Sequence, residues 1–367
     1  MENKAILEMG LSILEQLGKE AAAPYYEKNV SLLIKQILDK HNIAYTEDTY
    51  GNIIASYQNL NKEHSIPKVA FVSHMDHPGI EILSVENSKI IGKMIGRTSD
   101  SIFTEKIPLI IHDSLGQKII AESTGEQTDS KDEIFITTLE EKLPTLPAFA
   151  VFDLPEFLLE DQKILMRACD DLVGCAASLA VLEYLAKENK PGNIQAIFTR
   201  AEEAGLVGAR LMANDQFLTQ ETIIISIETS KAIPGGELGK GPIIRAGDAA
   251  TTFSHKAEAL LNFAKATLLQ QDKTINIQRQ LMDGGVCEAT AFILNGYEAT
   301  GIAFPLAHYH NGLGEPSIQA EFIDVNDFNG GLQLLLETTS VDADQDPPFA
   351  SRIKSYPVEQ AEKLKHP

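Results

Sequence analysis

Five side chains that can bind divalent cations each close or closely follow a short apolar segment of this 367-residue chain. They are two histidines and three carboxylates: His74, Asp170, Glu203, Glu228 and His310. The apolar segments are rich in Val, Ile and Phe, as in the buried strands of a parallel sheet. Functional groups of such sheets gather beyond the carboxyl ends of the strands, so residues far apart in sequence can share one site. The pattern indicates a hydrolase with two metal ions.

A pair of adjacent carboxylates, Glu202 and Glu203, follows one of these strands. Two such charges at the end of a buried strand repel each other and lose hydration unless cations or protons compensate. Adjacent side chains point in different directions, so one can bind a metal while the other faces the reacting water. Taken alone, an acidic pair at a helix start more often complements the helix dipole.

The segment His74-Met75-Asp76 places two polar side chains on the same side of an extended chain, because strand side chains alternate. His74 can bind a metal through one ring nitrogen. Asp76 can then accept the other ring N–H and fix the tautomer, or orient the ligand less directly.

Composition excludes several classes of partner. Lys and Arg number 31 against 52 Asp and Glu, a formal charge of −21, which disfavours nucleic acid and leaves no basic patch for anionic lipid. The longest apolar stretches are shorter than the roughly 20 residues of a membrane span. The first residues lack a secretory leader pattern, and three cysteines are too few for a disulfide framework. We therefore expect a cytoplasmic protein that binds neither nucleic acid nor membrane.

The spacing of apolar residues divides the chain into segments with a helical pattern and one segment with a strand pattern. Apolar spacing of three and four residues predicts helices over 3–18 and 25–41, whereas residues 79–162 show short β-branched runs between turns. Further helices are predicted at 172–187, 203–213, 256–271, 287–294 and 325–337. These elements predict a mixed α/β fold: a mainly parallel sheet with helices on both faces, plus an inserted small β-barrel or sandwich.

We predict a domain division from the same pattern. Residues 1–78 and 163–345 form the domain that carries the metal-binding candidates, and residues 79–162 form the inserted β domain. Residues 346–367 form a loosely held tail.

Several motifs together resemble one family. They are His74-Met-Asp76 with Gly79, Ala168-Cys-Asp-Asp-Leu-Val-Gly174, Glu202-Glu-Ala-Gly-Leu-Val-Gly-Ala209, Ile225-Ser-Ile-Glu228, Gly239-Lys-Gly-Pro242 and Pro305-Leu-Ala-His-Tyr-His310. The chain resembles the glutamyl aminopeptidase family of cytosolic dinuclear metallopeptidases, with the zinc-aminopeptidase fold. That family includes the tetrahedral aminopeptidases and proteins called cellulase M.

Ligand spacing separates this family from aminoacylase and carboxypeptidase-G type hydrolases, which insert a lid domain after the third ligand cluster. Here Asp170 lies 96 residues after His74, whereas Glu228 precedes His310 by only 82. The long gap holds the β-textured segment, which favours the aminopeptidase family.

The resemblance implies a ligand set for two divalent cations, zinc first, with cobalt and manganese as alternatives. Asp170 bridges both ions, His74 and Glu228 complete one site, and Glu203 with His310 complete the other. A cis peptide bond is expected between Asp170 and the next residue.

The same resemblance assigns the remaining roles. Glu202 is the general base, and Asp76 is the partner that orients His74. His308 competes with His310 for the last ligand position, and the offset of His310 from Pro305 fits the family better.

The predicted function is an aminopeptidase that removes amino-terminal residues from peptides by means of a bridging hydroxide. By resemblance it forms homo-oligomers through the β domain. A different possibility is an aminoacylase or carboxypeptidase, with Arg200 or Arg245 holding a substrate carboxylate. A metal-free glycosidase with two carboxylates and a non-catalytic scaffold are two more.

Overall fold

The computed structural model describes residues 2–60, 66–86, 89–98, 102–127, 130, 133–314, 317–342, 353–355 and 357–365. None of the helices in these ranges is long and apolar enough to cross a membrane.

An eight-stranded sheet forms the centre of the molecule, in the order β1-β2-β12-β3-β13-β16-β14-β15. Its strands are β1 (Ala44–Glu47), β2 (Ile53–Asn59), β3 (Val69–His74), β12 (Gly192–Thr199), β13 (Ile223–Lys231), β14 (Ile243–Gly247), β15 (Gln278–Leu281) and β16 (Ala299–Leu306). The four central strands, β12, β3, β13 and β16, run parallel. This confirms the predicted mixed, mainly parallel sheet.

Helices cover both faces of the sheet. They are α1 (Glu2–Gly18), α2 (Lys28–Lys40), α3 (Cys169–Glu188), α4 (Val207–Asn214), α5 (His255–Gln271), α6 (Glu288–Ile293), α7 (Tyr309–Gly312), α8 (Val325–Thr338) and α9 (Val358–Lys365). Strand β3 shows the two faces: Val69 and Phe71 enter one hydrophobic core with α3, while Ala70 and Val72 enter another with α4 and α6. Strand alternation therefore buries both sides of this strand.

A closed six-stranded barrel interrupts this α/β architecture. Its strands are β4 (Gly79–Glu86), β5 (Lys89–Ile95), β6 (Pro108–His112), β7 (Lys118–Gln127), β8 (Glu133–Thr138) and β9 (Phe149–Phe152). Alternating residues such as Leu109 and Ile111 fill its interior. A further three-stranded sheet joins β10 (Leu158–Glu160), β11 (Lys163–Met166) and β17 (Glu321–Asp324). The predicted β insertion is thus a barrel and not a sandwich.

Two predicted helices begin later than the sequence pattern indicates. The helix predicted from residue 25 begins at Lys28, because Tyr25 has a left-handed φ of 75°. The helix predicted from Glu203 begins at Val207, because Leu206 also has a left-handed φ, of 58°. Within the predicted tail, positions 346–352, 356, 366 and 367 lie outside the described residues, and α9 is exposed.

The Gly239-Lys-Gly-Pro242 motif forms a turn that is stabilised by a residue far away in the sequence. The carboxylate of Asp327 in α8 accepts hydrogen bonds from the backbone N–H groups of Gly239 (2.7 Å) and Gly241 (2.6 Å). Both glycines have left-handed φ values, of 71° and 88°, which a Cβ would strain. The motif is therefore explained by backbone conformation and by a buried carboxylate.

Candidate metal centre

The carboxyl ends of the parallel strands bring the predicted side chains together. His74 is the last residue of β3, and it pairs in register with Thr199, the last residue of β12. Glu202 and Glu203 follow that strand end, and His310 follows β16 by four residues. Glu228 differs from the prediction in detail, because it lies inside β13, which continues to Lys231.

One group of possible ligands consists of His74, Asp170 and Glu228, whose donor atoms all lie within 4.8 Å of one another. The His74 Nε2 atom is 3.4 Å from Asp170 Oδ1 and 3.9 Å from Glu228 Oε2. All three residues are buried.

A second group shares Asp170 and adds Glu203 and His310, again within 4.8 Å. The His310 Nε2 atom is 3.3 Å from Glu203 Oε1 and 3.7 Å from Asp170 Oδ2. The two oxygens of Asp170 thus face different histidines. A carboxylate that bridges two ions requires this geometry, and two such ions usually lie about 3.5–4 Å apart.

The contact made by Nδ1 of each histidine shows that this ring nitrogen carries a proton. His74 Nδ1 lies 2.9 Å from the backbone oxygen of Asp76, and His310 Nδ1 lies 2.8 Å from that of Arg97. A carbonyl oxygen only accepts hydrogen bonds, so each Nδ1 carries the proton. In the neutral form of each ring, Nε2 then has a lone pair that faces the carboxylates, as metal-binding histidines require.

The donor set fits divalent cations. Among the described residues, Asp170 Oδ1 and Glu203 Oε1 are buried atoms without a hydrogen-bond partner. Buried carboxylate oxygens without a partner are costly unless a cation is bound. Imidazole nitrogen with carboxylate oxygen suits zinc, and also cobalt or manganese.

Burial strongly affects the ionisation of the carboxyl groups. Burial and the charges of Glu228 and Glu203 raise the pKa of Glu202 well above its ordinary value. Burial and Asp170 likewise raise the pKa of Glu203, and the same two causes raise the pKa of Glu228 to about 7. These shifts describe carboxylates that lack a compensating positive charge. Cations bound among them favour the ionised forms.

Asp76 acts differently from the prediction. Its Oδ1 is 3.8 Å from His74 Nδ1, beyond hydrogen-bond distance, and its backbone carbonyl takes that place. The carboxylate instead accepts the backbone N–H groups of Glu202 (3.0 Å) and Glu203 (3.1 Å). The Asp76 carboxylate therefore orients the acidic pair, and the backbone carbonyl of Asp76 contacts the imidazole, because the chain turns after β3 and directs the carboxylate towards the end of β12.

Glu27 also supports the acidic pair, and sequence analysis missed it. This buried carboxylate accepts the backbone N–H of Ala201 at 2.9 Å. Its other oxygen lies 2.8 Å from both Nε and Nη2 of Arg200. The pairing spans 173 positions, so no local pattern signals it. It also occupies Arg200, one of the two arginines considered for a substrate carboxylate.

The chain before and after His310 adopts an unusual conformation. His308, His310 and Asn311 all have left-handed φ values of 50–57°. Hydrogen bonds hold this conformation: Asn311 Nδ2 donates to the carbonyl of Arg167, and His308 Nδ1 lies 2.8 Å from the carbonyl of Ala320. His308 is therefore engaged elsewhere, and His310 is the histidine that faces the carboxylates.

Asp170 and Asp171 interrupt the first turn of α3. Both have non-helical φ and ψ angles, and the expected cis peptide bond lies between them. Asp171 Oδ1 accepts the backbone N–H of Gly174 at 3.1 Å, as a helix-capping side chain does. The capping role thus falls on Asp171, which leaves the Asp170 carboxylate directed at the two histidines.

A cavity of about 1210 Å³ opens onto both groups. Glu202 lies on its wall beside His74 and Glu203. Apolar side chains including Leu206, Leu211, Met282 and Leu294 line its other parts. Four cationic residues also line it: Arg97, Arg210, Lys231 and Arg245.

Comparison with known proteins first gives the class of this fold. The structure matches an aminopeptidase from the archaeon Desulfurococcus kamchatkensis (TM-score 0.74, 20% identity, covering 96% of this chain and 99% of that one). It also matches the Pyrococcus horikoshii TET1 peptidase, which assembles into a tetrahedron or an octahedral shell (TM-score 0.71, 21% identity, covering 90% and 99%). The fold is therefore that of the TET aminopeptidases.

Sequence comparison then gives the family. The chain belongs to the M42 glutamyl aminopeptidase family, whose model matches residues 51–330. Over 261 residues it is 24% identical to FrvX of Escherichia coli (strain K12), a protein named as an aminopeptidase, covering 64% of this chain and 70% of FrvX. The resemblance found in the motifs is confirmed, and family membership supports a peptidase, and hence a hydrolase, function.

The contacts of Asp76 lead to a first prediction. Asp76→Asn replaces one acceptor oxygen by an N–H₂ group facing a backbone N–H, so the acidic pair is no longer held. We expect metal affinity, measured by calorimetry, to fall about 10- to 100-fold, as for other groups that support metal ligands. Asp113→Asn is the control, because the Asp113 carboxylate likewise accepts backbone N–H groups, three in all, at a turn of the barrel. Equal affinity in the two variants would contradict the assignment.

Proposed function

We propose that the protein is a dinuclear metal-dependent aminopeptidase that removes amino-terminal residues from peptides. The observation that carries this proposal is the pair of ligand groups sharing Asp170, with Glu202 beside them on the cavity wall. In this proposal two ions would share Asp170, with His74 and Glu228 completing the ligands of one and Glu203 and His310 those of the other.

The ions, zinc or alternatively cobalt or manganese, supply Lewis-acid activation of water and of the peptide carbonyl, together with charge stabilisation. The protein positions the reactants around them. The buried walls exclude bulk water, which strengthens electrostatic interactions in the site.

In this proposal Glu202 transfers the protons. Its Oε2 atom lies 3.9 Å from His74 Nε2, yet the residue belongs to neither ligand group. The backbone is fixed by Asp76, and the side chain faces the cavity. Glu202 would take a proton from the attacking water and deliver it to the leaving amine.

The acidic surroundings also favour attack at the amino-terminal end of the peptide. A free amino terminus is cationic and is stabilised near the buried carboxylates, whereas an acylated terminus is neutral and bulkier. The preferred substrate is therefore a peptide with a free amino terminus.

Glu202→Gln tests the proton-transfer role. The amide is nearly the same size as the carboxyl group but does not accept the proton, so we expect turnover to fall about 10²- to 10⁴-fold. Metal content by mass spectrometry on the same samples should remain equal to that of the wild type. Near-normal turnover with metals bound would show that another group is the base.

A second candidate function is a deacylase or carboxypeptidase acting on N-acyl amino acids, and Arg245 favours it. This arginine is only 4% exposed, lines the cavity, and its Nε atom has no hydrogen-bond partner among the described residues. A buried guanidinium of this kind suits a substrate carboxylate. Arg200 is unsuitable because Glu27 occupies it.

Matched substrates distinguish the two functions. We expect the wild type to hydrolyse Leu-Leu and Leu-amide and to leave N-acetyl-Leu intact, as measured by release of free leucine. Arg245→Met, which keeps the volume and removes the charge, should alter only substrates that carry a carboxylate near the scissile bond. Preference for the acetylated substrate would favour the second function.

A metal-free glycosidase and a non-catalytic scaffold account for fewer features of the site. The glycosidase leaves unexplained why both imidazoles direct Nε2 at the carboxylates. The scaffold leaves Glu202 without a role on the cavity wall.

We also propose that the protein assembles as a homo-oligomer through the barrel. Five aliphatic side chains of this region are 43–67% exposed: Leu115, Ile120, Leu139, Leu143 and Leu146. Leu139 and Ile120 are neighbours, joined by a backbone hydrogen bond of 2.9 Å. Exposed apolar side chains close together suit contact with a second copy of the chain.

Light scattering tests this assembly. The double variant Ile120→Lys/Leu139→Lys should have a lower molar mass than the wild type, because two charges would be buried at the interface. Leu60→Lys is the control, since Leu60 is similarly exposed (55%) but follows β2 of the large sheet. An unchanged mass in the double variant would place the interface elsewhere.

A further inference from the structure

A buried carboxylate outside both ligand groups lies beneath the candidate metal centre. Glu321, the first residue of β17, is 1% exposed. Its Oε2 atom accepts the backbone N–H of Asp170 at 3.0 Å. The backbone N–H groups of His310 and Cys169 lie near enough to favour the ionised form of this carboxylate, which lowers its pKa. One side chain therefore bonds the backbone of one proposed ligand, Asp170, and interacts electrostatically with that of a second, His310.

The strand pairing explains why Glu321 reaches both. In one direction β17 pairs with β11, with Glu321 opposite Met166, four residues before Asp170. In the other direction Phe322 forms a bridge with Ala307, three residues before His310. Strand β17 thus lies between the chain segments that lead into the two ligands. Glu321 is the residue of that strand at their junction.

The energetic cost of burying the Glu321 carboxylate indicates that this side chain does more than fill space. Burial and the nearby Asp170 charge oppose its ionisation and raise its pKa well above the ordinary value. An apolar side chain would avoid this cost but would leave the buried N–H of Asp170 without its acceptor, which is itself unfavourable. Asp170 has non-helical φ and ψ angles, so a regular helix does not supply that acceptor.

We infer that Glu321 is a positioning residue that sets the distance between Asp170 and His310, and thereby the affinity for the ion that these two residues share with Glu203. The inference rests on the proposed metal-dependent function. The His74 group depends less on Glu321, because His74 is held by the register of β3 and by the Asp76 carbonyl. Loss of Glu321 should therefore weaken one ion selectively.

Metal binding by the full-length protein, stripped with a chelator, tests this inference. Zinc is titrated by calorimetry, and the absorption spectrum of bound cobalt reports the coordination of each ion. Glu321→Gln keeps one acceptor oxygen and removes the negative charge that the backbone N–H groups of Asp170 and His310 favour. We expect one of two binding steps to weaken about 10- to 100-fold, as for other groups that support metal ligands, while the other changes little.

Asp327→Asn is the matched control, because Asp327 is also a buried carboxylate that accepts two backbone N–H groups, but at the Gly239–Gly241 turn. It should lower the temperature of unfolding without changing either zinc affinity. If Glu321→Gln does not fold, Glu321→Asp replaces it. That variant keeps the charge, shortens the reach, and should weaken the same step.

The outcomes separate the inference from the function on which it rests. If the wild type binds two ions and the Glu321 variant binds both with wild-type affinity and cobalt spectrum, Glu321 is not a positioning residue and the proposed function stands. If both steps weaken equally, the selective role is wrong. If the wild type binds no ions, the proposed function fails.

Discussion

The candidate site depends on holding several carboxylates in one buried volume. Asp170 lies between two histidines, and Glu202, Glu203 and Glu228 crowd around it with pKa values raised mainly by burial. Such a cluster opposes folding unless positive charge enters it. The surrounding protein must therefore place the carboxylates against their mutual repulsion, and bound cations would convert this cost into affinity.

Two levels of structure place these carboxylates: the register of the sheet and individual hydrogen bonds to backbone N–H groups. The parallel register of β12, β3, β13 and β16 brings the four strand ends to one edge of the sheet, with β13 and β16 ending three residues beyond β3 and β12. Finer placement comes from other buried carboxylates that accept backbone N–H groups: Asp76 at the acidic pair, Glu27 just before it, and Glu321 at Asp170. Side-chain carboxylates that accept backbone N–H groups are suited to this task, because they fix the loop and leave the ligand side chain free.

The sequence predicts the first level well and the second poorly. Apolar runs before His74 and Glu203 indicate buried strands, and parallel topology then brings their ends together. Glu27 and Glu321 carry no such signal, since their partners lie 173 and 151 residues away. The helix starts at Lys28 and Val207 were missed for a related reason. Left-handed residues without glycine are stabilised by tertiary contacts, which local periodicity does not report.

The two imidazoles show how the barrel and the sheet meet at the site. His74 is oriented by the carbonyl of Asp76, two residues along its own chain segment, whereas His310 is oriented by the carbonyl of Arg97, 213 residues away and just after barrel strand β5. Any movement of that segment relative to the sheet would rotate the His310 ring or break its hydrogen bond. The His74 group has no such dependence. Of the two groups of possible ligands, the one that contains His310 is therefore the one that a movement of the barrel segment would disturb first.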